Sequence, residues 1–229
     1  MHAALRGTEL CVFDAYGTLY DFNSAVARHK AAIGPAADAL SEMWRSKQIQ
    51  YTWLRNSMRE YAPFWNVTAE ALDHCLATHG ISDLKLRSAL LDSYLRLDPY
   101  PEVPAMIADL TNRGMRMAIL SNGNPEMLNP MVESSRLHGA FEAVLSVDEV
   151  KVFKPDALVY ALVEARCGVS ADKVCFLSSN CWDAHGAAHF GFRTIWVNRA
   201  GMADDNLPGA TIGQLRDLSQ LSQLFSVSS

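Results

Sequence analysis

The chain has 229 residues, 49% of them hydrophobic and 20% charged, with 13 Gly and 9 Pro; these are the proportions of a globular chain and exclude collagen-like, low-complexity and wholly disordered classes. A net charge of −5 offers no basic field for nucleic acid or anionic lipid, and no uncharged apolar run of about 18 residues is present to make a spanning helix. Met1 to Glu9 lacks the basic start and apolar stretch of a signal peptide, and the odd set Cys11, Cys75, Cys167, Cys175 and Cys181 contains no CxxC pair, so reduced, mostly buried thiols in the cytoplasm are expected.

In chain order, the apolar run Leu10 to Phe13 stops abruptly at Asp14 and reads as a buried strand. Residues 20–97 show no convincing strand and are rich in aromatics in helical surroundings. Trp44, Tyr51, Leu54, Met58 and Tyr61 recur at helical spacing as one face. Arg45, Ile49 and Trp53 form an adjacent one. A helix is expected over Pro104 to Arg113, stopped by Gly114, then a strand over Met115 to Leu120 ending at Ser121-Asn122-Gly123. Asn124-Pro125 reads as a helix N-cap with Pro at the first helical position. A strand over Phe141 to Val147 leads to Lys154-Pro155, and a helix opens at Pro155-Asp156. Val174 to Leu177 ends at Ser178-Ser179-Asn180; a short helix is expected over Asp183 to Phe190, a strand over Thr194 to Val197, and an amphipathic helix over Gln214 to Phe225.

Strand alternating with helix points to an α/β fold, a doubly wound Rossmann-like parallel sheet core with an inserted helical cap domain. Residues 1–19 and 98–229 are expected to form the core, and residues 20–97 the cap. In such a sheet, ligands bind beyond the carboxyl ends of the strands. Those ends carry Asp14, Ser121-Asn122, Lys154 after the third strand, and Ser178-Ser179-Asn180 with Asp183 close behind. Any one of them alone suits an ordinary turn. All converging on one rim points to chemistry.

Asp14-Ala15-Tyr16-Gly17-Thr18-Leu19, Ser121-Asn122-Gly123, Lys154-Pro155 and Ser178-Ser179-Asn180-Cys181-Trp182-Asp183 resemble, in order, the motifs of the haloacid dehalogenase superfamily. Trp44 to Gln48 and Tyr51 to Arg55 resemble the L-2-haloacid dehalogenases within it. The resemblance implies that Asp14 displaces halide through an aspartyl ester, which water activated by Asp183 and positioned by Asn180 then hydrolyses. It implies that Lys154 pairs with Asp14, with Thr18, Ser178 and Tyr160 in the surrounding network. Ser121 and the backbone N–H groups of Ala15 and Tyr16 would hold the substrate carboxylate. Arg45 and Asn122 would cradle the halide beside Trp182, and Ile49 and Phe64 would line the alkyl side. The implied partners are a small halogenated carboxylate and a halide ion, with no nucleic acid and no membrane, in an enzyme that is often a homodimer.

The alternative within the superfamily is a magnesium-dependent phosphatase. Such enzymes need a second aspartate two residues after the nucleophile, where this chain has Tyr16, and acidic groups around magnesium. Here the cations Lys154 and Arg45 stand among only two relevant carboxylates, so neither metal nor cofactor is expected. A non-catalytic binding module is the third reading, disfavoured because buried charges are costly to keep without a use. His185 and His189 share a helix face but lack the glutamate of a zinc-protease pattern, so packing is expected for both, with His185 close enough to Asp183 to influence the hydrolytic water.

Overall fold

The computed structural model describes residues 3–225; the outermost ends of the expected core, residues 1–2 and 226–229, lie outside the described residues. Six parallel strands form the main sheet in the order β5-β4-β1-β6-β7-β8: β1 Leu10–Phe13, β4 Arg116–Ser121, β5 Ala143–Ser146, β6 Val174–Ser178, β7 Arg193–Val197 and β8 Gly213–Leu215. Every residue of β1 and β6 is buried, as a sheet covered on both faces requires. Phe13 pairs with Ile119 on one side and Leu177 on the other. From β1 the chain builds outward through β4 and β5, then returns to β6 on the opposite side. The carboxyl end of β1 is therefore the switch point where an open sheet leaves a crevice.

The connecting helices are α6 Val103–Asn112, α7 Pro125–Ser134, α8 Ala157–Cys167 and α9 Cys181–Phe190. The Asp156 carboxylate caps α8 by accepting from the Leu158 N–H. Asn124 stands at the N-cap of α7 but makes no side-chain cap; its carbonyl oxygen accepts from the Trp65 N–H instead, at 2.9 Å. Asp183 is not the cap of α9. Asn180 holds that place, and Asp183 sits fully buried in the first turn.

Between β1 and α6 the chain is helical: α1 Asn23–Ala27, α2 Lys30–Ile33, α3 Ala37–Met58, α4 Phe64–Thr78 and α5 Leu84–Tyr94. A two-residue antiparallel ladder, β2 Tyr20–Asp21 with β3 Asp98–Pro99, closes this segment at its base, where no strand was expected. The buried stripe of α3 is Ala37, Leu40, Ser41, Trp44, Gln48, Ile49 and Thr52, not the expected Trp44–Tyr61 face. Leu54 and Met58 are exposed, at 49% and 67%, and Tyr61 lies past the helix end. Burial along α3 stops at Thr52, and its last turn is held by polar contacts, Arg55 with Glu70 of α4 and Asn56 with Phe153.

The other departure is at the chain's end. Gln214 to Phe225 is not one amphipathic helix: Gly213–Leu215 adds to the sheet edge beside β7, Asp217 turns the chain by accepting from the Ser219 N–H, and only α10 Leu221–Leu224 is helical. No helix among the described residues is long and apolar enough to cross a membrane.

Candidate active site

Asp14 follows β1 directly, its N–H donated to the Leu177 carbonyl at 2.9 Å, so the sheet itself fixes where the side chain starts. The chain then turns back sharply through Gly17, at φ +85°, where a Cβ would stand 2.9 Å from the Ser179 hydroxyl; only glycine fits. Oδ2 of Asp14 accepts from the Asn180 amide at 2.8 Å, the Thr18 hydroxyl at 3.1 Å and the Ser178 hydroxyl at 3.4 Å. Oδ1 accepts from the Lys154 ammonium at 3.1 Å. The carboxylate is 5% exposed and held on every side by donors.

Lys154 is 1% exposed and also donates to Asp183 Oδ2 at 2.9 Å. Its ammonium rests 5.0 Å from the Phe176 ring centroid, a further favourable contact for a cation. Burial favours the neutral amine, but the Asp14 and Asp183 carboxylates outweigh it and hold the Lys154 pKa above its ordinary value. The pKa of Asp183 is pushed up, first by burial and then by the Asp14 charge, with Lys154 and Tyr160 opposing. Tyr160 is fully buried and donates its phenol to Asp183 Oδ1 at 2.8 Å. Its own pKa is raised well above the usual value by burial and by Asp183, so it stays a neutral donor. Gly186 makes room for that contact, since a Cβ there would lie 2.7 Å from the Tyr160 oxygen and 2.6 Å from the Pro155 side chain. A buried ammonium thus bridges two carboxylates, one saturated by donors and one with a raised proton affinity suited to a general base.

The opposite wall comes from α3. Arg45 is half-buried and reaches the floor, its guanidinium 3.2 Å from Asn180 Oδ1 and 3.5 Å from the Tyr16 carbonyl. Its other arm donates to Gln48 Oε1 at 2.8 Å, which also accepts from the Tyr94 phenol at 3.0 Å. Gln48 in turn donates to Thr68 at 2.7 Å, so the arginine is aimed by a buried chain of side chains. Phe22 lies beneath it, 5.2 Å from ring centroid to guanidinium carbon. Tyr16 packs on Tyr94 and Phe64, both at 5.6 Å between centroids, and its buried phenol oxygen has no hydrogen-bond partner among the described residues. Trp182 meets Trp53 edge to face at 5.4 Å.

Residues 8–191 match the family model of haloacid dehalogenase-like hydrolases. The chain belongs to that family. Within it, the chain is 42% identical to (S)-2-haloacid dehalogenase 4A of Burkholderia cepacia, over 94% of each protein. It is 44% identical to (S)-2-haloacid dehalogenase 1 of Pseudomonas sp. strain CBS-3, over 94% of this chain and 95% of that one. The L-2-haloacid dehalogenase of Xanthobacter autotrophicus, solved with chloropropionic acid covalently bound, superposes with a TM-score of 0.89 at 36% identity, covering 95% of this chain and 98% of the other. The chain is thus a member of the (S)-2-haloacid dehalogenases, hydrolases of carbon–halide bonds.

The dehalogenase fold brings Asp14, Thr18, Lys154, Tyr160, Ser178, Asn180 and Asp183 into one hydrogen-bonded cluster, with Arg45 touching it through Asn180. Ser121 is fully buried at the end of β4, its hydroxyl accepting from the Gly123 N–H at 3.1 Å. Asn122 is held separately from Arg45: its carbonyl oxygen accepts from the Lys154 backbone N–H at 3.0 Å. Ala15, Ile49 and Phe64 are buried and Trp182 half-buried. Gln48 and Tyr94, which aim Arg45, were not foreseen. Gln48 carries a weak signal, three residues after an arginine and so on a neighbouring helix position; Tyr94 carries none.

Proposed function

We propose that the chain removes halide hydrolytically from short (S)-2-haloalkanoic acids and haloacetates, giving (R)-2-hydroxy acids through an ester on Asp14, without a metal ion. One observation carries the metal-independent reading: the Lys154 ammonium stands between Asp14 and Asp183, 3.1 and 2.9 Å from them, so a fixed cation fills the place between the carboxylates. Tyr16, in place of the second aspartate a phosphatase requires, supports the same conclusion.

In the first step an Asp14 oxygen bonds to C2 as the carbon–halogen bond breaks, and the halide departs with the bonding pair toward Arg45 and Asn122, with Trp182 beside them. Alignment of nucleophile and carbon supplies roughly 7–11 kcal/mol that free collision lacks. The donors Ser121, Ala15 N–H and Tyr16 N–H hold the substrate carboxylate. Ile49 and Phe64 bound the alkyl side, which favours short chains. In the second step Asp183 takes a proton from a water positioned by Asn180. The water oxygen adds to the ester carbonyl carbon; collapse breaks the bond to the substrate oxygen, which takes the proton held by Asp183 as the hydroxy acid leaves, and the adduct's remaining hydroxyl proton passes to solvent as the Asp14 carboxylate is restored. Lys154 stabilises the oxyanion formed on the way.

Residues 20–97 serve in this reading as a cap over the core of residues 1–19 and 98–229. The protein is read as cytoplasmic, consistent with five free cysteines, and as a homodimer, which would cover exposed Leu54 and Met58.

The test is halide release from L-2-chloropropionate and chloroacetate with a chelator present. Release from the L but not the D enantiomer is expected. Magnesium-dependent release of phosphate from small esters, with no halide from either acid, would favour the phosphatase alternative instead.

A further inference from the structure

Away from the catalytic cluster, three metal-ligating side chains converge on the other side of α9. Cys181 and His185 lie one turn apart on that helix, and Asp204 comes from the segment joining β7 to β8. One ligand atom from each, the Cys181 Sγ, an imidazole nitrogen and a carboxylate oxygen, all fall within 4.8 Å of one another. We propose that Cys181, His185 and Asp204 bind a zinc-class divalent cation, which ties the β7–β8 segment to the helix that carries Asn180 and Asp183. The site takes no part in carbon–halogen chemistry, so it stands or falls independently of the function proposed above.

The donor set suits that ion. A thiolate, an imidazole and a carboxylate together match a borderline-soft cation rather than magnesium or calcium, which take oxygen ligands. Ligand atoms around a tetrahedral zinc stand roughly 3.3–3.6 Å apart, given bond lengths of about 2.0–2.3 Å. The His185 Nε2 to Asp204 Oδ1 separation of 2.8 Å is shorter than that, the other pairs lie within 4.8 Å, and binding would move Asp204, which sits on an exposed segment, outward by about half an ångström. The fourth position of a tetrahedral ion would fall to water.

The orientation of His185 is the second observation. Its Nδ1 lies 2.5 Å from the Gly209 carbonyl oxygen. A carbonyl only accepts, so Nδ1 carries the hydrogen and Nε2 is the ring atom turned toward Asp204, 2.8 Å from its Oδ1. A carbonyl on the far nitrogen is also how imidazole ligands are commonly aimed at a metal. The backbone enforces this carbonyl's position: Gly209 has φ +94°, and a Cβ there would stand 2.3 Å from the His185 oxygen and 2.5 Å from the His189 nitrogen. A proton on Nε2 is the competing occupant.

The pairing of His185 with His189 suggested by sequence spacing is not the relevant one, since its ligand partner lies a turn in the opposite direction.

The test is titration of chelator-treated protein with Zn²⁺ by calorimetry and with Co²⁺ by absorption. One equivalent bound per chain, a thiolate-to-cobalt charge-transfer band in the near ultraviolet, and a Tm that rises with Zn²⁺ are expected. Cys181→Ser should abolish the band, and His185→Gln and Asp204→Asn should weaken binding by at least about tenfold, while Cys167→Ser leaves it unchanged. Asp204 is exposed, so Asp204→Asn keeps the fold and gives a readout even where another variant fails to fold. Absence of saturable binding, or binding that is the same in the parent, Cys181→Ser and Asp204→Asn, overturns the proposal and leaves a proton between His185 and Asp204.

Discussion

The floor of the site and its roof are held in different ways. On the floor, Asp14, Ser121 and Ser178 sit at or just past the ends of buried parallel strands, so backbone register sets their positions, and Asp183 is held by the first turn of the helix that follows β6. On the roof, Arg45 is set by side chains: Gln48, Tyr94 and Thr68 aim it, and Asn180 receives it. The helices reach the core through a few polar ties, among them Asn56 with both backbone groups of Phe153 and the Tyr61 phenol with Asp148. A floor built from the sheet can carry a buried ammonium between two carboxylates without shifting. A roof built from side chains is the part that can be retuned, and specificity is expected to reside there.

This contrast is open to attack. Asp183→Asn should lower turnover by about 10²–10⁴-fold, the usual worth of a general base, and should accumulate ester that intact-mass measurement detects; loss of both ester and product would mean that Asp183 acts in the first step. Lys154→Met should destabilise the fold by about 3–5 kcal/mol, because two buried carboxylates then face each other uncompensated. Denaturant unfolding checks this, and a change under about 1 kcal/mol would show that the ammonium is not the keystone of the floor.

Arg45→Lys should behave in the opposite manner. It keeps the charge but loses the forked contact to Gln48 and Asn180, so turnover should fall by roughly 10–10²-fold while unfolding changes by no more than about 0.5 kcal/mol. An equal loss of stability and activity would erase the distinction between roof and floor. The smallest effect is expected from Tyr160→Phe. Burial raises the Asp183 pKa, so as pH falls through that value it is protonated and cannot accept a proton from water; the acid limb of turnover is expected to lie above the pKa of a free aspartate. The Tyr160 hydrogen bond opposes the rise. Removing it should move the acid limb to higher pH, by about one unit for a hydrogen bond worth about 1.5 kcal/mol. A limb that stays in place, or moves to lower pH, would separate Tyr160 from the base.

The same division explains what the sequence reveals. Strands buried on both faces leave uninterrupted apolar runs, and the polar residues that end them are the floor itself; β1, β4, β6 and β7 lie within a residue of their expected places. Arg45, Ile49 and Trp53 share a face by spacing, and from it Arg45 meets Asn180 and Trp53 meets Trp182. The support of the roof is not legible. Gln48 contacts Thr68 and Tyr94, 20 and 46 residues away in the chain, and local periodicity holds no record of such pairs. The same limit hides β8 and the β2–β3 ladder, which are too short for an alternation to show. The Trp44–Tyr61 face failed because helical spacing says which residues share a side, not how far along the helix its partners extend.

The central claim is that Asp14 itself bonds to the substrate carbon. A single turnover with enzyme in excess over L-2-chloropropionate in ¹⁸O-water, followed by mass analysis of peptides and product, tests it most directly. Heavy oxygen in the peptide containing Asp14, with the first-turnover lactate unlabelled, is the expected result. Label in the lactate and none in the peptide would mean that water attacks C2 directly and would contradict the account.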